Sequence, residues 1–496
     1  MQKISHISLI FIVTLILSFA IRGNRASLSN NDTYLSTKIG SPFESSHSAA
    51  RYALTKSIVD NHSLFLGESL AAIASPDLSK INNQYISIFT PGVSFIGVPA
   101  YVLGKYLGYP QLTTYIFFLL ISILNLYLLS NLSQNLGVSR RISIVAGLIF
   151  IFATNSYVYS NTLTQHNLST FLVLTTLIIT IKKRTLFNNF IFGICYGLAV
   201  LVDIPNLFLI MPQALYLAYQ HVSLKAKSIN PIILGIALGV LPFMVAFGIY
   251  NQQVTGNPFK LGQRLGRAIY PPEATLDTQK IVQVHAVAGE KFKQFDTRRQ
   301  INGYYILLFS KTRGLLRYSP IALLGILGYF IAYKDKKQPN TIHLFVAVIF
   351  LNIFIYSIFN DPWGGWAFGP RYLIPTTALF VVGLSVLIQK YYNRLLFNLI
   401  FIPLLLYGIA LSTAGAITTS VVPPDVYTQN ISTPLHSNYK YNFDLISANS
   451  SGSLVYSTLF MPKYQLRDYY HFVVMIISAL ILTIYISYIF HSLRGK

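Results

Sequence analysis

Apolar residues in this chain run on without the polar face that a soluble amphipathic helix keeps. The stretches 7–21, 112–132, 166–181, 231–250 and 470–490 each approach the ~20 residues that a helix needs to cross hydrocarbon. Short polar links separate them along the whole length. The pattern predicts an all-α polytopic membrane protein with about twelve transmembrane helices in one domain, residues 1–496. The first run, although followed by the small-x-small triplet Ser18-Phe19-Ala20, is expected to stay as an anchor, because so many spans follow it. The stretch 88–107 opens with FTPGVSFIGVPAY, whose two prolines and two glycines predict a juxtamembrane or partly re-entrant segment.

Composition agrees. Over 496 residues, 53% hydrophobic and 10% charged with mean hydropathy +0.52 exclude an ordinary soluble domain. The single Cys195 excludes an internal disulfide.

Charge supplies an orientation. Of a net +22, much sits in short links: Arg140-Arg141, Lys182 to Arg184, Lys334 to Lys337, Lys390 to Arg394 and Arg494 to Lys496. The positive-inside rule puts these in the cytoplasm, and the loops 23–87, 251–316 and 418–469 outside. The first and last of those loops are neutral, whereas 251–316 carries ten basic and four acidic residues. A long loop tolerates such charge, but an excess of +6 also suits an anion, for which phosphate is the natural candidate.

Several polar motifs fall on the expected outer side. FNDPWGGWAFGPRYLIP (359–375) holds both tryptophans and an arginine one turn inside a span. Tryptophan there serves as an interfacial anchor or as a stacking surface for a sugar ring. An arginine at that depth needs a carboxylate, a phosphate or water, and a planar guanidinium suits a lipid-linked phosphate. Residues 41–66 read as an amphipathic helix lying on the outer surface, capped by Ser45 or Ser46. Ala49, Ala50, Ala53, Leu54 and Ile58 form its apolar stripe, with Arg51, Lys56 and Asp60 wet and Glu44 and His47 at its start. A carboxylate there is placed to take a proton from an acceptor hydroxyl, or simply to favour the first turn of a helix. Gln165, His166 and Asp203 mark two more outer turns, and Lys311, Arg313 and Arg317 put three cations at the start of a span. No Walker A loop, zinc-spaced Cys/His set, GxSxG or CxxC occurs. The cations are split into short links across the membrane, which argues against nucleic acid as a partner.

In order and placement, RYALTKSIVDNHSL, YISIFTPGVSFIGVPAYVLG, ATNSYVYSNTLTQHNLS, IYNQQVTGNPFKLGQR, KTRGLLRYSP and NDPWGGWAFGPRYLIP resemble the GT-C membrane glycosyltransferases. The branch is the family 39-like one, which includes protein O-mannosyltransferases and aminoarabinose transferases. That resemblance implies an inverting glycosyltransferase at the outer face of the plasma membrane. It would move a sugar from a polyprenyl-phosphate donor to a hydroxyl acceptor on protein, lipid or glycan. It implies Glu44 as base, with Asp32 and Asp77 as alternatives, and Arg371, Arg313, Arg317 and Arg264 on the donor phosphate. Trp363, Trp366, Asp361, His166 and Tyr85 are assigned to the sugar or acceptor. No metal ligands are assigned, and a divalent cation is left open as a cofactor. The common Asp-Glu pair is absent, with Phe43-Glu44 in its place. Two rival readings are a transporter or flippase of a glycolipid, and a non-catalytic glycolipid-binding relative.

Overall fold

The computed structural model describes residues 6–23, 41, 43–182, 185–223, 230–270, 300–336, 338–359, 361–425, 435–461 and 463–494. The protein is a predominantly helical polytopic membrane fold. Among the described residues six helices are long and apolar enough to cross a membrane: Pro110–Asn135, Ile233–Thr255, Pro339–Ser357, Arg371–Tyr391, Leu395–Ile417 and Leu466–Ser492. Shorter apolar helices, among them Gln165–Ile181 and Leu186–Val202, stand beside them. At 17 residues each, these two fall short of the ~20 residues of a full crossing.

After α1 (His6–Ser18), the first loop builds a layer over one end of the bundle. α2 (Ser46–Asp60) starts at Ser45, whose hydroxyl oxygen accepts from the Ser48 N–H at 3.2 Å. α2 packs against α3 (Glu68–Ala74) and α4 (Gly92–Leu107). Its alanine stripe is buried as the periodicity predicts, and of the residues expected to be wet Lys56 and Asp60 stay partly exposed whereas Arg51 does not. Arg51 is buried, and Thr55 and Ser94 exchange hydrogen bonds with backbone carbonyls across the α2–α4 seam. The small side chains of α2 allow this closeness: α4 covers a face that a larger stripe would have held away.

α4 is one continuous helix in spite of its prolines and glycines. Pro91 stands at the N-cap, where a missing N–H costs nothing, and Pro99 is accommodated inside. Gly92 marks a close approach: a Cβ there would sit 2.4 Å from the Leu201 carbonyl oxygen. Between α3 and α4 lies a hairpin, β1 (Leu78–Ile81) with β2 (Gln84–Ser87), antiparallel with Leu78 opposite Ser87. Its two-residue turn, Asn82-Asn83, has positive φ at both positions, a geometry that asparagine tolerates and tight hairpins require.

The bundle below continues with α5 (Pro110–Asn135), α6 (Arg140–Phe152), α7 (Ser156–Ser160), α8 (Gln165–Ile181), α9 (Leu186–Val202), α10 (Asn206–Ser223) and α11 (Asn230–Thr255). Helices Gly325–Lys334 and Ile374–Tyr391 meet through Gly325, Gly328 and Gly383, the close-packed small-residue contact of membrane helices. A Cβ at Gly328 would lie 1.8 Å from the Gly383 carbonyl oxygen. Gly328→Ala is therefore expected to part these helices and lower stability by ~1–3 kcal/mol, read as a fall in melting temperature in detergent.

Candidate functional site

Three groups of buried charge gather at the end of the bundle that the first loop covers, and they differ in how fully their hydrogen-bonding capacity is used. The first joins Arg22, just past α1, to Glu44, just before α2. They are 2% and 4% exposed, with Nε and Oε1 3.4 Å apart. Arg22 also donates to the carbonyls of Thr418 and Gly415, and Glu44 Oε1 accepts from the N–H and hydroxyl of Ser420 at 2.7 and 2.8 Å. This pair pins the first loop to the turn after helix Leu395–Ile417.

The second group is Arg313, fully buried. Its guanidinium donates to the carbonyls of Trp363 and Gly365 at 3.0 Å each, and to those of Thr312, Ser437 and Val422. Burial lowers its pKa, as expected for a cation held by dipoles rather than by a carboxylate. It braces the Trp363–Gly365 turn, where Gly364 and Gly365 take positive φ and Asp361 accepts from the Gly364 N–H at 3.1 Å.

The third group draws on the most segments. Asp77, placed by β1, accepts from the Ser46 hydroxyl at 2.6 Å and lies 3.3 Å from His47 Nδ1 and 3.2 Å from Arg267. The other ring nitrogen of His47 is 3.2 Å from Arg371 Nη2. Arg51 donates to the His47 carbonyl at 2.9 Å and to Gln165 Oε1 at 2.7 Å, while lying over the Phe89 ring at 3.9 Å. Asp203, at the end of α9, receives hydrogen bonds from Gln165 and Tyr356 and feels the charges of Arg51 and Arg371. His166 opens α8 edge-on to Tyr159 and Tyr372, and Tyr372 stacks on Tyr356 with centroids 4.4 Å apart.

Electrostatics separates the two carboxylates. Burial alone would raise both. At Asp77, His47, Arg267 and the Ser46 hydroxyl overcome it and bring the pKa to about 2. At Asp203 burial prevails over Arg51, Gln165 and Arg371, and the pKa is pushed up to about 6. The Arg51 guanidinium is drawn down to about 10 by burial, with Asp203 opposing.

Some buried donors and acceptors stay open. Among the described residues Arg51 Nε, Arg371 Nε, His166 Nε2 and Asp77 Oδ1 of the third group have no hydrogen-bond partner, nor do Arg22 Nε and Glu44 Oε2 of the first. An unmet buried polar atom is expensive, and four around one cluster mark a place for a polar ligand.

The residues named from sequence are thus partly gathered. Arg371, His166 and Asp77 share the third group. Glu44 and Arg313 lie in separate buried pairings, and Arg317 and Arg264 are exposed. Trp363 and Trp366 are half-buried in the turn braced by Arg313. Tyr85 packs edge-on to Tyr270 beneath Lys80 in the hairpin. Asp32 lies outside the described residues. Arg51 and Arg267 are additions. The first was read as a wet helix residue, and the second was hidden in the basic excess of its loop. Among the described residues no three His, Cys, Asp or Glu side chains gather as a metal set.

No family model matches the chain, and no curated protein matches it. Among solved structures the chain is similar to ArnT from Cupriavidus metallidurans bound to undecaprenyl phosphate: TM-score 0.47, 11% identity, covering 98% of this chain and 76% of that one. It is also similar to the same protein in the apo state, with TM-score 0.44, 13% identity and coverage of 97% and 75%.

Breaking one side of a buried ion pair strands the other charge and typically costs about 3–5 kcal/mol. Glu44→Leu is expected to lower the melting temperature sharply, and the double variant Arg22→Met with Glu44→Leu to regain much of it. Thermal melts of purified protein in detergent test both.

Proposed function

We propose that the chain is an inverting membrane glycosyltransferase that moves a sugar from a polyprenyl-phosphate donor to a hydroxyl acceptor at the outer membrane face. One observation carries the reading. Arg51 and Arg371, both buried at one end of the bundle, keep an Nε–H without a partner among the described residues, within reach of the charges of Asp77 and Asp203. Guanidinium groups with open donors suit phosphate oxygens, and they act most strongly where water is excluded.

The chemistry then follows from charge flow. The bond from the anomeric carbon to the phosphate oxygen breaks with its electron pair on that oxygen, and Arg51 and Arg371 stabilise the departing anion. Arg371 heads the apolar helix Arg371–Tyr391, so a phosphate held there sits at one end of the bundle. The stacked pair Tyr356–Tyr372 offers an aromatic face beside it for the sugar. The negative charge that draws the acceptor's proton comes from Asp77, which shares the cluster with His47 and Arg267, whereas Glu44 pairs with Arg22 and Ser420 through Oε1.

The flippase alternative calls for polar groups near the bilayer midplane at a helix break. Here they crowd at one end, with two carboxylates among them, which favours an enzyme.

In membranes supplied with radiolabelled undecaprenyl-phosphate mannose, glucose or aminoarabinose, the wild-type protein is expected to consume at least one donor. Arg371→Ala is expected to lose ~10²–10³-fold in transfer rate, and the exposed Arg317→Ala to stay near wild type. Consumption of none of the donors by wild type, or near-normal transfer by Arg371→Ala, rejects the reading.

A further inference from the structure

Asp77 has the charge of a base but not the reach. Its side chain is 1% exposed, its Oδ2 accepts from Ser46 and faces His47, and its Oδ1 lies 3.2 Å from Arg267. His47 stands between it and the open side of the cluster with a side chain 20% exposed. The ring is held from both ends: Nδ1 faces Asp77 Oδ2 at 3.3 Å and Nε2 faces Arg371 Nη2 at 3.2 Å. Arg371 can only donate, so Nε2 must accept, and the hydrogen must lie on Nδ1, the nitrogen 3.3 Å from Asp77 Oδ2. Phe89 packs against one face of the ring, with centroids 5.4 Å apart. A neutral imidazole fixed in one tautomer by a carboxylate, its far lone pair aimed at the ligand side, is the arrangement of a general base.

We propose that His47, oriented by Asp77, is the group that takes the acceptor's proton, in place of the missing acidic pair. This rests on the glycosyltransferase reading above. When the donor arrives, its phosphate draws the Arg371 guanidinium onto its oxygens and frees Nε2. The acceptor hydroxyl then gives its proton to Nε2 while its oxygen bonds to the anomeric carbon. The carbon–phosphate-oxygen bond breaks with its electron pair on the phosphate. Asp77 stabilises the imidazolium, which later yields its proton to water.

The surrounding charges couple the base to the donor. In the free protein burial holds the imidazole down to about 3; Asp77 opposes this, and Arg371, Arg51 and Arg267 add to it. An anion on Arg371 and Arg51 offsets two of those lowering influences, so His47 becomes more basic only when a donor is present to be cleaved. An idle site keeps its base quiet.

Three measurements on the full-length protein in detergent test this. With ¹⁵N-labelled histidine, the His47 ring is expected to carry its hydrogen on Nδ1, and its pKa to rise when undecaprenyl phosphate is added. His47→Gln keeps an acceptor for Arg371 but takes up no proton. It is expected to retain the melting temperature and the affinity for undecaprenyl phosphate, while transfer falls by ~10²–10⁴-fold. Asp77→Asn is expected to lose transfer as well and to lower the His47 pKa. A hydrogen on Nε2, a ring indifferent to undecaprenyl phosphate, or near-normal transfer by His47→Gln overturns the dyad while leaving the donor reading in place. A wild-type protein that binds no undecaprenyl phosphate overturns both.

Discussion

Withdrawing a guanidinium ion from water costs several kcal/mol even after a protein relaxes around it, and this chain does so at Arg22, Arg51, Arg313 and Arg371. Each burial constrains its neighbours, because every N–H not met by an acceptor adds to the cost. Arg22 takes a carboxylate and two carbonyls, and Arg313 takes carbonyls alone, drawn from four stretches of chain. The loops at this end of the bundle are folded around those two needs. They hold the Trp363–Gly365 turn and the segment 418–422 in place, and the turn lies against Arg371, whose Nε is 3.0 Å from where a Cβ on Gly364 would sit.

Arg51 and Arg371 are treated differently, and the contrast separates structure from site. Among the described residues Arg22 also keeps its Nε–H unmet, 3.4 Å from Glu44 Oε1, but Arg51 and Arg371 do so in the cluster that gathers Asp77 and Asp203. A fold under no further demand would have closed those gaps with carbonyls, as it did at Arg313. Leaving them open is costly, and that cost is offset only when something anionic occupies the space.

Much of this was legible in the sequence for physical reasons. Hydrocarbon length and charge at the links are one-dimensional signals, so the spans Pro110–Asn135 and Leu466–Ser492 read directly. The depth of Arg371 within an apolar run likewise announced a partner. What was not legible depends on which face of an element another element covers. Arg51 sits among small residues and polar neighbours, a pattern shared by a helix on the membrane surface and by one wedged under α4. Glu44 and Arg22 are 22 residues apart along the chain, and nothing local says that they pair. Arg267 meets Asp77 because Ala268 bridges to Leu78 at the hairpin edge, and a contact of that sequence separation leaves no periodic trace.

The charges of the third cluster also fit together as a sum. Arg51, Arg267 and Arg371 bring three positive charges, and Asp77 and Asp203 two negative ones when ionised, leaving one positive in excess. A sugar joined to a lipid through a phosphodiester carries a single negative charge, so the loaded site is neutral. During transfer the phosphate gains a second negative charge as its bond breaks, while His47 gains a positive one. Both charges are created inside the same ring of fixed groups, and the total does not change. In a medium of low dielectric that constancy matters more than the strength of any one contact. It requires the proton acceptor to lie close to the guanidiniums, as His47 does with Nε2 3.2 Å from Arg371 Nη2.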